Sequence, residues 1–168
     1  MDESIELIIA AFNDEKKADQ VLKEMRQLDK DGVLAVLNAA IMVKTAEGKV
    51  SLRETEDVSG KQGAIFGAIA GGILGLLGGP AGVIVGAAAG AATGGVAANQ
   101  IDMGFSDEAL EEIQQGLEPG SSAIIALVEH EWIQRILDEF DKYEAQLFHQ
   151  ALKDEIATQL KAANDKTE

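Results

Sequence analysis

Two histidines are the only imidazoles in the chain: His130, inside Glu129-His130-Glu131, and His149, inside Phe148-His149-Gln150. A carboxylate–imidazole–carboxylate triplet has the donor types of a metal site. Adjacent residues on a helix, however, point in different directions. His130 therefore reads as a solvated helix start, and His149 has no Cys or carboxylate beside it at metal spacing. The acid pairs Glu111-Glu112 and Asp138-Glu139 fall on polar helical faces, where solvation explains them. Ser121-Ser122 follows Pro119-Gly120 with no base at a readable position, so the pair reads as a strand start. Trp132 reads as core packing ahead of an interfacial anchor. No catalytic residue, metal ligand or cofactor site is expected, and the expected class is non-enzymatic.

Glycine-rich chains also invite a nucleotide reading. From Gln62 to Ile101 no two glycines stand two apart, so G-x-G-x-x-G is absent, and no lysine is present to serve a P-loop. What the stretch does have is a ladder. Gly63, Gly67, Gly71, Gly75 and Gly79 recur every four residues, and after Pro80 the spacing restarts as Gly82, Gly86, Gly90 and Gly94. On a helix, positions four apart share a face. Each arm would present a strip without side chains along which a second backbone can approach closely, the small-xxx-small logic of helix packing in bilayers. Pro80 marks the turn, and the expectation is a glycine-zipper helical hairpin whose nine ladder glycines mediate packing and oligomerisation.

Such a hairpin faces an energetic objection. Glycine costs a helix roughly 1 kcal/mol relative to alanine, so the ladder loses about 9 kcal/mol of propensity in water. A bilayer, which forces the backbone to satisfy itself, or close packing in a protein assembly would reverse that balance. Arms of about 17 residues span roughly 26 Å, slightly short of a hydrocarbon core of about 30 Å. Arm one carries Ile65, Phe66, Ile69, Ile73, Leu74, Leu76 and Leu77. Arm two has only Val83, Ile84, Val85 and Val96 among its alanines. A flexible linker is the weaker reading, because linkers rarely carry apolar residues at this density.

Around these forty uncharged residues the chain is strongly acidic, with a net charge of −15 over 168 residues. Residues 1–61 hold thirteen acids and nine bases, and residues 102–168 hold sixteen acids and five bases. That balance argues against nucleic acid and against electrostatic attraction to anionic lipid. There is no cysteine, hence no thiolate chemistry. Met1-Asp2-Glu3 lacks the basic start of a signal peptide, so cytoplasmic synthesis and residence is the expectation.

In order, Ser4 to Phe12 reads as a buried strand. Asn13 or Asp14 is placed to cap a helix with Ala18, Val21, Leu22, Met25 and Leu28 on its apolar face. Asn38 to Thr45 and Lys49 to Glu56 read as a hairpin around Glu47-Gly48. After the glycine stretch come a helix from Asp107 to Leu117, capped by Ser106, and a strand from Ser121 to Val128. Trp132 to Phe140 fits an amphipathic helix, and Ile156 with Leu160 fits another. Ala145 to Ala151 suits either a helix extension or a short strand, with a break near Lys142–Glu144.

The expected fold class is α+β: a ferredoxin-like β-α-β-β-α-β sheet domain from residues 1–60 and 105–168. The glycine-zipper hairpin of residues 61–104 is inserted between strand three and helix two, and a helical segment closes the C-terminus.

The runs AFNDEKKAD, EGKVSL, the GGPAG-centred stretch and LEPGSSAIIALVEHEW, in this order over Ser4 to Trp132, resemble the bacterial domain-of-unknown-function family 1269. Members are described as predicted membrane proteins or grouped with stress-associated glycine-zipper proteins. The resemblance therefore implies a membrane or stress-related role and supplies no catalytic residues.

The leading expectation is a non-enzymatic protein whose hairpin inserts into a bilayer and oligomerises, held at the cytoplasmic face of the inner membrane through residues 61–104. The alternative is a soluble, cytoplasmic self-assembling protein, forming a ring, shell or filament, with hairpins packed between subunits. A ligand-sensing ferredoxin-like module is the third. A homo-oligomer is expected, with the lipid bilayer as partner in the leading reading and neither nucleic acid nor nucleotide in any.

Overall fold

In the computed structural model, residues 4–54 and 107–164 are described, together with Phe66, Ile69, Ala70 and Ile73 between them. Five strands form one sheet: β1 (Ile5–Phe12), β2 (Asn38–Lys44), β3 (Val50–Glu54), β4 (Ser121–Glu129) and β5 (Gln146–Ala151). Their order is β3-β2-β4-β1-β5, and every neighbouring pair is antiparallel. The helices described along their whole length are α1 (Lys17–Lys30), α2 (Asp107–Gly116), α3 (Ile133–Asp141) and α4 (Asp154–Asn164), with a 3-10 turn at His130–Trp132.

Strand position follows from which faces are apolar. β1 is buried along its whole length, and β4 is buried from Ser121 to Val128; a strand apolar on both faces belongs in the interior of a sheet. In β3 the buried apolar residues are Val50 and Leu52, on one face, which suits the edge. A split βαβ sheet made from β1 to β4 would seat β3 beside β1. Instead β3 lies outermost beside β2, and β1 is flanked by β4 and β5. The open question at residues 145–151 resolves to a strand, because the second side of β1 needs a hydrogen-bonding neighbour. The turn before it falls at Lys142–Glu144, where Glu144 takes a positive φ of 55°.

The sheet is covered on both faces. On one, Ile8, Ala10, Ile41 and Ile124 pack with Val21 and Met25 of α1 and with Ile136 and Phe140 of α3. On the other, Leu7, Ile9, Met42 and Ile125 pack with Ile113 of α2, Ile156 and Leu160 of α4, and Phe66, Ile69, Ala70 and Ile73.

The two serines at the start of β4 do more than begin a strand. Ser122 Oγ accepts a hydrogen bond from the Ala18 amide at 3.0 Å and donates to the Asp14 carbonyl at 2.5 Å, so it caps α1 from across the sheet. Asp14 itself accepts from the Lys16 amide at 2.7 Å through Oδ1. The Ser121 hydroxyl, also buried, has no hydrogen-bond partner among the described residues.

Tyr143 fastens the end of α3 to α1. Its hydroxyl donates to Glu24, and the Lys17 ammonium sits 5.5 Å from its ring centre. The hydrogen bond to Glu24, then burial, then the negative charges of Glu24 and Glu139 push the phenol up from 10.0 to about 12. A raised phenol means that the folded chain holds this proton more tightly than the unfolded chain. The stabilisation is thus complete below pH 10.0 and is lost as pH rises through about 12. Absorbance titration of the chain's single tyrosine is expected to show ionisation near 12, moving towards 10.0 in Glu24→Gln.

Candidate functional site

The nine ladder glycines, Pro80 and the Ser106 cap lie outside the described residues. Within the same stretch, Phe66, Ile69, Ala70 and Ile73 are helical and no more than 1% exposed. Their spacing is i, i+3, i+4, i+7, which is one face of a helix. All four belong to the sheet's own core. Each of the three large side chains contributes about 1.5–3 kcal/mol by leaving water. Among the described residues, no helix is long and apolar enough to cross a membrane.

A second constellation comes from residues the sequence kept far apart. Glu6 is the only charged residue in β1, and its side chain is 9% exposed. It faces the same side of the sheet as Ile8 and Ala10, by the alternation of the strand. Antiparallel pairing sets His149 of β5 opposite Ile8, one step along from Glu6. On the other flank, β4 runs to Glu129 opposite Ile5, and the His130 amide donates to the Ser4 carbonyl at 3.0 Å. His149 on β5 and His130 just past the end of β4 thus each stand diagonally to Glu6, within reach of a long side chain. His130 Nδ1 lies 2.6 Å from Glu6 Oε1, and His149 Nδ1 lies 3.2 Å from Oε2.

The electrostatics follow from burial. The carboxylate is enclosed while the His130 and His149 side chains remain 45% and 49% exposed. As a carboxylate, Glu6 only accepts, so both rings then carry a proton on Nδ1. That arrangement can orient two surface imidazoles and relay a proton. It does not gather ligands: among the described residues, no group of three or more His, Cys, Asp or Glu side chains is arranged to hold a metal ion.

His130 was read above as a solvated helix start; it begins the 3-10 turn, but its ring is held by Glu6. His149 lacked a carboxylate near it in sequence, and the strand register supplies one from 143 residues away. The available signal was Glu6 itself. A lone charge inside an apolar strand must find partners or remain at the surface.

The family described as Protein of unknown function (DUF1269) matches residues 64–164, well over half of the chain. The chain belongs to this family. No curated protein and no solved structure matches it. The DUF1269 match and the resemblance drawn from Ser4 to Trp132 overlap over residues 64–132. The matched region begins inside the glycine stretch and runs through α4, so AFNDEKKAD and EGKVSL fall before it and the segment after Trp132 falls within it. Both histidines therefore lie in the DUF1269 region, and Glu6 does not.

Proposed function

We propose that this DUF1269 protein is a non-enzymatic, self-associating α+β protein whose glycine ladder is the packing strip between copies. The observation that carries the reading is the burial of Phe66, Ile69, Ala70 and Ile73 in the sheet's core. With its apolar stripe committed to the sheet, arm one has less apolar surface left for lipid. On a continuous helix, positions 63, 67, 71 and 75 would lie about 130° around the axis from that stripe, which is the flank we assign to a second backbone. The residues that organise the sheet fit a ferredoxin-like unit of β1-α1-β2 and β4-α3-β5, with β3 as an added edge strand. In this reading the protein resides in the cytoplasm as a homo-oligomer.

A second reading keeps the bilayer as partner. The run from residue 62 to 101 has no charge, which favours insertion at the cytoplasmic face of the inner membrane, with a structural or stress-related role. One experiment separates the two. Cells are lysed without detergent, the protein is fractionated at high salt, and the particle mass of wild type is compared with that of Gly71→Leu/Gly86→Leu. Soluble particles of several subunits, made smaller by the double substitution, support assembly through the ladder. Salt-resistant recovery in the membrane fraction supports the bilayer reading. Soluble particles of unchanged mass overturn packing through the ladder.

A further inference from the structure

On the α1 side of the sheet, the described residues leave the β2–β3 edge partly open. Between α1 and these strands lies an open groove of about 440 Å3, within the size range of small-molecule sites. Its floor is apolar with one polar point: Ile41 and Val43 of β2, and Ser51, which pairs with Val43 across the hairpin. Its wall is Lys16, just before α1, and the face of α1 that carries Asp19, Gln20 and Lys23. Glu15 Oε1 accepts from the Ala46 amide at 3.0 Å, which ties the wall to the β2–β3 turn.

Charge pairing on the wall is uneven. Lys23 is held by Asp19 at 2.9 Å, and Glu15 is engaged by the turn. Lys16 has no carboxylate partner among the described residues. The groove therefore offers an aliphatic floor, a hydroxyl, a side-chain amide and, beside the Glu15 and Asp19 carboxylates, one ammonium outside any ion pair. We infer that it binds a small amphipathic monoanion, with the apolar body on Ile41 and Val43 and the carboxylate or sulfonate on Lys16. The inference does not depend on the assembly reading, because none of these residues belongs to the glycine stretch.

The test uses the full chain and two probes. Anilinonaphthalenesulfonate is titrated by fluorescence, and octanoate is then added as competitor, with octanol as its uncharged counterpart. Saturable binding at one site is expected, with octanoate competing about tenfold better than octanol. Lys16→Glu should weaken both anions about tenfold, and Val43→Glu should remove the site. Lys16 is exposed, so its variant is expected to fold and decides the matter if Val43→Glu does not. Equal competition by octanol and octanoate, or wild-type affinity in Lys16→Glu, overturns the inference.

Discussion

Phe66→Ala is expected to lower the unfolding free energy by about 3–5 kcal/mol, and Ile69→Ala or Ile73→Ala by about 2–5 kcal/mol each. The magnitude follows from position: Phe66 and Ile69 are 0% exposed and Ile73 is 1% exposed, all in one cluster with Leu7, Ile9 and Ile125 of the sheet. The same cluster takes in buried residues of the strands, α2 and α4, so a void opened there lies among closely packed neighbours and collapses only in part. Domains of this kind hold about 5–15 kcal/mol in total, so one such loss removes a large fraction of it. Urea unfolding without lipid, followed by circular dichroism and by the single tryptophan Trp132, measures the change. Val33→Ala, at a side chain 46% exposed, is the control and should stay within about 0.5 kcal/mol. If the three core variants match that control, the stripe does not support the sheet and its apolar residues are free for a bilayer or a second copy.

The stripe also shows how a legible signal can be masked by a louder one. Positions 66, 69, 70 and 73 follow the helical period in plain view, yet the four-residue glycine repeat beside them dominates the pattern. Small residues at every fourth position say that something approaches closely; they do not say whether lipid, sheet or another copy lies opposite the apolar side. β1, α1, the β2–β3 hairpin and β4 were legible because each has a clean period and a turn at its ends. The order of strands was not legible, because it depends on which strands are apolar on both faces relative to one another. β5 was the hardest element. Gln146 to Ala151 alternates weakly, and what makes it a strand is the demand of β1 for a second neighbour rather than anything within its own six residues.

Glu6→Ala is expected to cost about 2–4 kcal/mol, while Glu6→Gln costs about 1 kcal/mol. Alanine removes both acceptors and leaves a gap beside two strands, whereas glutamine keeps the shape. Its amide oxygen accepts from one ring, and its NH2 donates to the other, provided that ring moves its proton from Nδ1 to Nε2. What glutamine loses is the charge assistance, which is the smaller part. The two imidazoles should not contribute equally. At 2.6 Å the His130 contact is short enough for a charge-assisted bond, whereas His149 at 3.2 Å is at the long end of the ordinary range. Both rings are about half exposed, so water replaces much of what either loses. Double-mutant cycles at neutral pH, pairing Glu6→Ala with His130→Ala and with His149→Ala, isolate each contact. A coupling of about 1–2 kcal/mol is expected for His130 and under about 1 kcal/mol for His149. Coupling indistinguishable from zero for both would reduce the cluster to a chance meeting of side chains. A larger coupling for His149 would mean that in solution the carboxylate turns towards β5 rather than towards the end of β4.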